Sequence, residues 1–455
     1  MTIDAVVELL PGWLPHQRWF AGKNQPVDDV RIAAATRLRD SAPELWYLLI
    51  EVSQGVTSDV YQVPVSFRDQ PDDRLEHVLL GEVDGRFVYD GLHDKDATAE
   101  LLRRFEAQDQ LDELMFHTEP EARLPVGEPS LVLTAEQSNT SLAYGDVALL
   151  KVFRRLVPGV NPDVEVHDAL TRAGCEYVAP LLGWLDGAWT NRSGERREAG
   201  LAMLQEFLVT ATDGWALATT SVRDLYAEAD LRADEVGGDF AGESERLGVA
   251  TAEVHACLAD VLPARHLTDA EVRASAARMR QRLDAAVGIV PELTPFVAPL
   301  AEAFDDFAEL DDAVDAQRIH GDYHLGQVIR TVLGWKLVDF EGEPEKPLAE
   351  RVALDSPVRD VAAMLRSFDY AARHLLVVDH AGSGQIAYRA DEWAERNRSA
   401  FCDGYAKSAG RDPRDAAILL RAYEIDKVVY EAVYEARNRP SWLAIPLAGA
   451  ERLAG

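Results

Sequence analysis

The spacing of apolar residues changes along the chain, from the alternation of strands to the period of helices. Segments 46–52 (WYLLIEV) and 59–67 (DVYQVPVSF) are rich in β-branched and aromatic residues, which favours strands. Asp84-Gly85 separates two further apolar runs and is typical of a hairpin turn. A helix is predicted from Thr98 to Asp112. The first 90 residues are therefore predicted to form a β-rich subdomain.

A second group of strands follows between residues 130 and 154. A polar loop at 136–141 and a turn at Gly145-Asp146 divide it, and the last strand ends near Lys151. The next segment predicts a helix, with Asn161 as its N-cap and Gly174 as its stop. Residues 200–208 predict an apolar strand.

From about residue 215 the apolar spacing is helical, interrupted by one short hairpin predicted in IRTVLGWKLVDF (329–340). The order of elements predicts an α/β (α+β) fold in three parts. These are an N-terminal cap (1–90), an intermediate subdomain (91–205) and a mostly helical C-terminal part (206–455).

Composition narrows the choice of partners and compartment. The net charge is -32, from 78 acidic and 46 basic residues, and such a field repels nucleic acid. The three cysteines stand alone, which fits a reducing cytosol better than a disulfide framework. The N-terminus lacks the basic start of a signal peptide, and no apolar run is long enough to span a membrane. We expect a soluble, cytoplasmic protein without a nucleic-acid or membrane partner.

The segment HGDYHLGQ (320–327) concentrates the chemistry. A zinc site on His320, Asp322 and His324 would need a further nitrogen or sulfur ligand nearby, and the sequence offers none. A Ser-His-Asp site would need a serine on a sharp turn, and no G-x-S-x-G motif occurs. Both interpretations are disfavoured.

Phosphoryl transfer fits the residue order better. It needs a carboxylate for the acceptor hydroxyl, oxygen ligands for Mg²⁺, and a lysine paired with a carboxylate for the phosphates. Asp322, Gln327, Asp339, Lys151 and Glu165 occur in the matching order on elements of the predicted type. The hairpin after Gln327 returns Asp339 to the mouth of the loop. Lys151 lies in an apolar strand, where it needs an anionic partner.

Longer blocks resemble the actinobacterial maltokinases of the aminoglycoside-phosphotransferase-like superfamily. They include QRWFAGK, EQSNTS, ALLKVFRR, GVNPDVE, GGDFAGES, HGDYHLGQV, DFEGEP, SPVRDVAAMLRSFDYAA and YEIDKVVYEAVYEARNRPSWLAIPL, spread over nearly the whole chain. The resemblance implies a two-lobed, eukaryotic-kinase-like fold with an added N-terminal cap. It also implies an enzyme that uses ATP and Mg²⁺ to phosphorylate the anomeric hydroxyl of maltose, giving maltose 1-phosphate for α-glucan synthesis. An association with a trehalose synthase is implied only in this way.

The same resemblance assigns roles to individual residues. Asp322 becomes the catalytic base, Gln327 and Asp339 become metal ligands, and Glu341 is a further ligand candidate. Lys151 and Glu165 would grip the phosphates. The loop from Gln137 to Ser141 takes the place of a phosphate loop, and residues 205–207 take the place of an adenine-binding hinge. The cofactor-binding candidates are thus Lys151, Glu165, Ser138, Asn139, Thr140, Ser141, Gln205, Glu206 and Phe207.

A sugar site is expected on the last long helix. Lys427, Tyr430, Glu431 and Tyr434 fall at i, i+3, i+4 and i+7, on one face, and rings beside polar groups suit a sugar. Arg366 is a further candidate for the cleft. Purely structural roles stay open for several of these residues. Both tyrosines fit the core equally well, His320 fits a loop brace, His324 fits either loop support or sugar contact, and Glu165 fits an exposed helix face.

Three alternative functions remain. The acceptor could be another small sugar, such as glucosamine, or the chain could be a non-catalytic binding module with a kinase-like fold. A protein kinase is less supported, since no APE-like segment follows DFEGEP.

Overall fold

The computed structural model describes residues 3–133, 138–344, 346–378 and 384–455. The chain forms two compact units. The first contains Met1–Asp168 and Ala179–Val209, and the second contains Ala169–Val178 and Thr210–Gly455. The first is rich in strands and the second is mostly helical, as the apolar pattern predicts.

The first unit contains two antiparallel sheets. Its strands are β1 Asp29–Arg39, β2 Glu44–Gln54, β3 Thr57–Arg68, β4 Leu79–Val83, β5 Arg86–Asp90, β6 Gln110–Leu111, β7 Leu114–Thr118, β8 Ser130–Leu133, β9 Thr140–Tyr144, β10 Ala148–Val152, β11 Arg155–Leu156, β12 Leu181–Thr190 and β13 Arg196–Glu206. Its helices are α1 Leu10–Trp13, α2 Lys95–Ala107 and α3 Pro162–Arg172. One sheet has the order β1-β2-β3-β5-β4, with β11 paired to β3, and the other has the order β6-β7-β12-β13-β10-β9-β8.

The first unit shares one apolar core between its two sheets. Leu45 and Tyr47 of β2 pack in the same cluster as Leu114, Leu150 and Leu201 of the second sheet. Because burial of apolar surface is the main stabilising term, this cluster joins the N-terminal strands to the strand that carries Lys151.

The second unit is built from helices around short strand pairs. Its helices are α4 Gly214–Ala227, α5 Ala241–Val261, α6 Asp269–Val287, α7 Val297–Ala308, α8 Leu348–Arg351, α9 Val358–Val378, α10 Gly384–Ala409, α11 Ala417–Asn438 and α12 Ala444–Ala454. Its strands are β14 Thr212–Asp213, β15 Arg265–His266, β16 Asp315–Ala316, β17 Val328–Thr331 and β18 Gly334–Leu337. β17 and β18 form a hairpin, and β14 pairs with β17.

Close packing of α5 on α10 depends on two glycines. A Cβ on Gly248 would lie 2.0 Å from the carbonyl oxygen of Phe401, and one on Gly404 would lie 1.9 Å from that of Glu245. Only glycine allows the two backbones to approach this closely. This packing fixes α5, which supplies supports for the candidate site.

Most predicted elements are confirmed. Segments 46–52 and 59–67 lie within β2 and β3, and 329–340 contains the β17–β18 hairpin. Asp84 and Gly85 turn with φ values of 52° and 75°, as expected for a tight hairpin. The helix predicted from Thr98 to Asp112 instead runs from Lys95 to Ala107, because Asp94 provides the N-cap.

The predicted boundary at residue 90 stays a prediction. Both sides of it lie in the first unit, apart from residues 169–178, which belong to the second. Among the described residues, no helix has the length and apolarity needed to cross a membrane.

Candidate active site

The loop between β16 and β17 carries the HGDYHLGQ segment and is held from behind by α9. The carboxylate of Asp360, in the first turn of α9, accepts hydrogen bonds from the backbone N–H groups of His320 (2.7 Å) and Gly321 (3.0 Å). Asp360 also lies 3.2 Å from Nε2 of His255 on α5. Burial raises the pKa of Asp360, but His255 and the loop contacts outweigh it, and the net pKa lies below the ordinary value. The loop backbone is therefore bound to a buried carboxylate that the sequence analysis did not single out.

Further bonds fix the two ends of the loop. His320 donates from Nε2 to the carbonyl oxygen of Val338 at 2.9 Å, and the N–H of Leu325 donates to Oγ of Ser367 at 3.0 Å. The interpretation of His320 as a loop brace is confirmed. His324 also supports the loop, because its Nδ1 accepts the N–H of Gly326 at 3.0 Å. Burial lowers the pKa of His324, and this favours the neutral ring that the bond requires.

The β17–β18 hairpin brings Gln327 and Asp339 together, as its sequence predicts. The amide nitrogen of Gln327 donates to Oδ2 of Asp339 at 3.0 Å. Asp339 has a φ of 67°, a left-handed conformation that is unusual for a residue other than glycine and is frequent at functional sites. A carboxylate oxygen of Glu341 lies within 4.8 Å of one on Asp339. These side chains offer oxygen ligands, which is the donor set that Mg²⁺ prefers.

Lys427 of α11 lies between two carboxylates. Its Nζ is 3.5 Å from Oδ1 of Asp322 and 3.4 Å from Oε1 of Glu343. Burial lowers the pKa of Lys427, but the charges of Asp322, Glu343 and Glu431 outweigh it and raise the pKa above the ordinary value. Lys427 is therefore a fixed cation beside Asp322.

Glu343, in the DFEGEP block, was not singled out from the sequence. Its carboxylate is buried and lies 2.5 Å from Lys346 and 3.9 Å from Arg359, in addition to Lys427. Burial raises the pKa of Glu343, but these cations lower it to about 2. The signal in the sequence was a third acidic residue two positions after Glu341. Of the cations that neutralise it, Lys346 is nearby in sequence, whereas Arg359 and Lys427 come from α9 and α11.

The predicted sugar face of α11 is partly exposed. The rings of Tyr430 and Tyr434 are nearly parallel with centroids 6.3 Å apart, and Nζ of Lys427 lies 5.0 Å from the Tyr430 centroid. Tyr434 is exposed and Tyr430 is half-buried. The rings are therefore available for stacking.

Arg366 and Glu431 lie deeper than expected. Arg366 is fully buried, and its Nη2 donates to Oε2 of Glu431 at 2.8 Å. Arg366 also pairs with Asp369, which shares the same buried network. Burial raises the pKa of Glu431, while Arg366 and Lys427 oppose that rise. The expectation that Arg366 lies at a cleft is corrected, because the structure leaves it no exposed surface and uses it to hold Glu431.

In the first unit, Lys151 has a partner that the sequence analysis missed. Its Nζ donates to Oδ2 of Asp163 at 3.0 Å, and both side chains are buried. Nδ1 of His167 lies 3.1 Å from the other oxygen of Asp163. Burial raises the pKa of Asp163, but Lys151 and His167 lower it well below its ordinary range. Glu165, half-buried two residues further along α3, stays a predicted second partner.

Two residues that were predicted to lie in the phosphate loop lie in a strand. Thr140 and Ser141 begin β9 and are buried, so their assignment to the loop is wrong. Oγ1 of Thr140 already accepts a hydrogen bond from Nε of Arg154 at 2.8 Å. Ser138 is exposed and Asn139 is half-buried, and both precede the strand. Gln137 lies outside the described residues.

The predicted hinge keeps its backbone donors occupied. The N–H of Glu206 donates to the carbonyl oxygen of Pro180, and that of Phe207 donates to the carbonyl oxygen of Val147, each at 2.9 Å. Oε1 of Gln205 is buried and has no hydrogen-bond partner within the described part of the chain. In residues 205–207, the groups left to contact an adenine are therefore backbone carbonyl oxygens and the Gln205 side chain.

Comparisons with known proteins identify relatives of the chain. Residues 13–94 match the maltokinase N-terminal cap domain. The chain is 32% identical over 336 residues to a glucosamine kinase of Streptacidiphilus jiangxiensis, covering 70% of this chain and 72% of the relative. It is 28% identical over 320 residues to a glucosamine kinase of Mycolicibacterium smegmatis, covering 69% and 77%.

A solved structure of a glucosamine kinase in complex with glucosamine, ADP and inorganic phosphate shares the fold. Its TM-score is 0.72 at 22% identity, and the match covers 100% of this chain and 99% of that one. The resemblance to maltokinase-like kinases found in the sequence motifs is confirmed. The chain therefore belongs to the family of sugar kinases that includes the Streptacidiphilus glucosamine kinase, and it is a phosphotransferase with an alcohol group as acceptor.

Proposed function

We propose that the protein transfers the γ-phosphoryl group of ATP, with Mg²⁺, to the anomeric hydroxyl of a neutral sugar, maltose. The product would be maltose 1-phosphate, a donor for α-glucan synthesis. Glucosamine is the alternative acceptor, because two relatives of the chain are glucosamine kinases.

The charge of the pocket beside the catalytic loop carries this proposal. The pocket is lined by Arg282, Glu343, Lys346, Asp426, Lys427 and Tyr430, among others. Its carboxylates already have partners. Glu343 pairs with Lys346 and Lys427, and Asp426 binds Arg282 through two hydrogen bonds of 2.8 and 2.7 Å.

A neutral acceptor suits such a pocket better than an ammonium group. Hydroxyls can bond to Lys427 and to the carboxylates without adding charge. Among the residues that line the pocket, four cations face three carboxylates that already have partners, so an ammonium would be repelled on balance. The half-buried Tyr430, which lines this pocket, and the exposed Tyr434 beside it offer aromatic rings for the C–H faces of a sugar.

In the proposed reaction, Asp322 orients the acceptor hydroxyl and accepts its proton. The acceptor oxygen forms a bond to the γ-phosphorus as the bond from that phosphorus to the β,γ-bridging oxygen breaks, and ADP leaves. Lys427 holds the carboxylate of Asp322 from one side, and Asp360 holds the backbone beside it. These contacts keep the base in position before the substrate arrives.

Gln327, Asp339 and Glu341 would hold the metal, since their side chains offer oxygen ligands around the end of the hairpin. When bound, Mg²⁺ would supply charge neutralisation on the phosphates. In the first unit, Lys151 is the proposed phosphate-binding cation, with Asp163 fixing its orientation. Glu165, Ser138, Asn139, Gln205, Glu206 and Phe207 remain proposed nucleotide contacts.

ADP release across maltose, glucose, glucosamine, trehalose and maltotriose tests the acceptor, with ³¹P NMR to locate the new phosphate. We expect maltose to give the highest kcat/KM and an anomeric phosphate. Strong turnover with glucosamine and none with maltose would overturn the neutral-sugar proposal while keeping a kinase.

Asp322→Asn tests the base directly. We expect kcat to fall by about 10²- to 10⁴-fold, the usual range for a general base, with ATP binding retained. Asp305→Asn, on the exposed side of α7, is the matched control and should behave as wild type. ATP binding without turnover in the wild type, for every sugar tested, would instead indicate a non-catalytic binding module.

A further inference from the structure

The N-terminal cap contacts the chain directly after Lys151, the proposed phosphate-binding lysine. The backbone N–H of Gln62 donates to the carbonyl oxygen of Arg154 at 3.0 Å, and its side-chain amide donates to that of Phe153 at 2.7 Å. Gln62 lies on β3, within the segment matched as the cap, and is fully buried. The cap thus binds the first two residues after the strand of Lys151.

Arg154 extends this contact to the start of β9. Its guanidinium is completely buried and lies 4.7 Å from the Trp19 ring of the cap. Nη2 donates to Oδ2 of Asp90, also in the cap, at 2.6 Å, and Nε donates to Oγ1 of Thr140 at 2.8 Å. A buried arginine held by a carboxylate has one well-defined orientation, because leaving either charge unpaired is costly.

The proposed phosphate contacts lie on β10 and directly before β9, next to the two places that Arg154 joins. Thr140 is the cross-strand partner of Val152, and Ser141 is that of Lys151. Ser138 and Asn139 come directly before Thr140. A displacement of Arg154 would therefore move both the lysine strand and the residues that precede β9.

We propose that the cap is a working part of the nucleotide site, in which Asp90 orients Arg154, and Arg154 positions Lys151 and, through Thr140, the residues before β9 for the phosphates of ATP. Asp90 and Arg154 are positioning residues and touch no substrate. The proposal rests on the proposed function, since it assumes that ATP binds at Lys151.

Asp90→Asn keeps the shape of the side chain and removes its charge. We expect the KM and the dissociation constant for ATP to rise about tenfold or more, as for a lost charge-assisted hydrogen bond, and the KM for the sugar to change less than twofold. Asp59→Asn is the matched control. It removes the carboxylate that binds Arg155, the next residue, at an exposed site, and should leave all constants unchanged.

Variants at Thr140 separate positioning from a loss of folding. Thr140→Val removes the acceptor for Arg154 and should raise the KM for ATP, whereas Thr140→Ser keeps the hydroxyl and should restore it. If Thr140→Val weakens ATP binding and a folded Asp90→Asn does not, the hydroxyl acts without the cap and the proposal is overturned. If Lys151→Ala leaves ATP binding unchanged, the assumed nucleotide site fails together with the proposal.

Discussion

At the scale of single residues, Asp360 is expected to affect kcat although it touches no substrate. Its buried carboxylate accepts hydrogen bonds from the backbone N–H groups of His320 and Gly321, which precede Asp322. In Asp360→Asn, an N–H₂ group would replace one acceptor and face a backbone donor. We expect kcat to fall by about 10- to 100-fold, the equivalent of one lost charge-assisted hydrogen bond, with the KM for ATP nearly unchanged. Steady-state kinetics measure this split.

The matched control for Asp360 is Asp355→Asn on the same segment. The carboxylate of Asp355 forms an ion pair with Arg359 and accepts a hydrogen bond from the Tyr423 hydroxyl. Unlike Asp360, it accepts no hydrogen bond from the backbone N–H of His320 or Gly321. A fall in thermal stability should accompany both variants, whereas the fall in kcat should be confined to Asp360→Asn. Equal losses of kcat in the two variants would show that Asp360 only stabilises the fold and has no specific effect on the catalytic loop.

Sequence spacing predicted some residue contacts and not others. Gln327 and Asp339 could be paired because a hairpin returns the chain to its starting point. The partner of Lys151 could not be chosen, since Asp163 and Glu165 differ by about 200° around the helix and only packing sets the rotation of α3. Arg366 was a candidate for the cleft, but it is buried and carboxylates on α9 and α11 neutralise it.

At the scale of elements, the short turn after His324 depends on a neutral imidazole. His324 caps the 3₁₀ turn Leu325–Gln327, with Nδ1 accepting the N–H of Gly326. Its pKa is lowered in the folded protein, so the unfolded chain takes up the proton first as pH falls below about 6.5. This residue therefore removes stability progressively from pH 6.5 downward, and its contribution is intact above that pH.

His324→Asn tests the cap, because asparagine can accept the same N–H bond and does not titrate. We expect the Tm of the variant to fall less than that of wild type between pH 7 and pH 5. The two curves should differ least above pH 7. Parallel curves over the whole range would show that His324 is not responsible for the acid sensitivity. His16→Asn, at an exposed position in the cap, is a suitable control.

Elements were more predictable than their ends. Richness in β-branched and aromatic residues identified β2 and β3, and helical spacing identified the C-terminal helices. The limits of β9 were missed because Thr140 and Ser141 are polar, which suggested a loop. Their side chains are buried by Arg154 and by the neighbouring strand, and such contacts come from distant parts of the sequence.

At the scale of the whole molecule, the cap is expected to be inseparable from the strands that follow it. Cap residues Leu38, Leu45, Tyr47, Leu49 and Leu92 are buried in one cluster with residues of the second sheet. Removing the cap would expose the apolar side chains of the second sheet in this cluster, at about 1.5–3 kcal/mol for each large side chain, so five would cost on the order of 10 kcal/mol. This equals the whole stability of a typical domain, about 5–15 kcal/mol.

Deletion of residues 1–94 should therefore leave a chain that aggregates when it is expressed, and gel filtration of the soluble fraction measures this. Val56→Ser in the full chain is the control, because Val56 is fully exposed at the tip of the β2–β3 hairpin and should tolerate the change. A soluble, monomeric 95–455 fragment that binds ATP as tightly as the full chain would contradict both the shared core and the role of Asp90. A soluble fragment with weakened ATP binding would contradict the shared core alone, because the contact between Asp90 and Arg154 would still account for the loss.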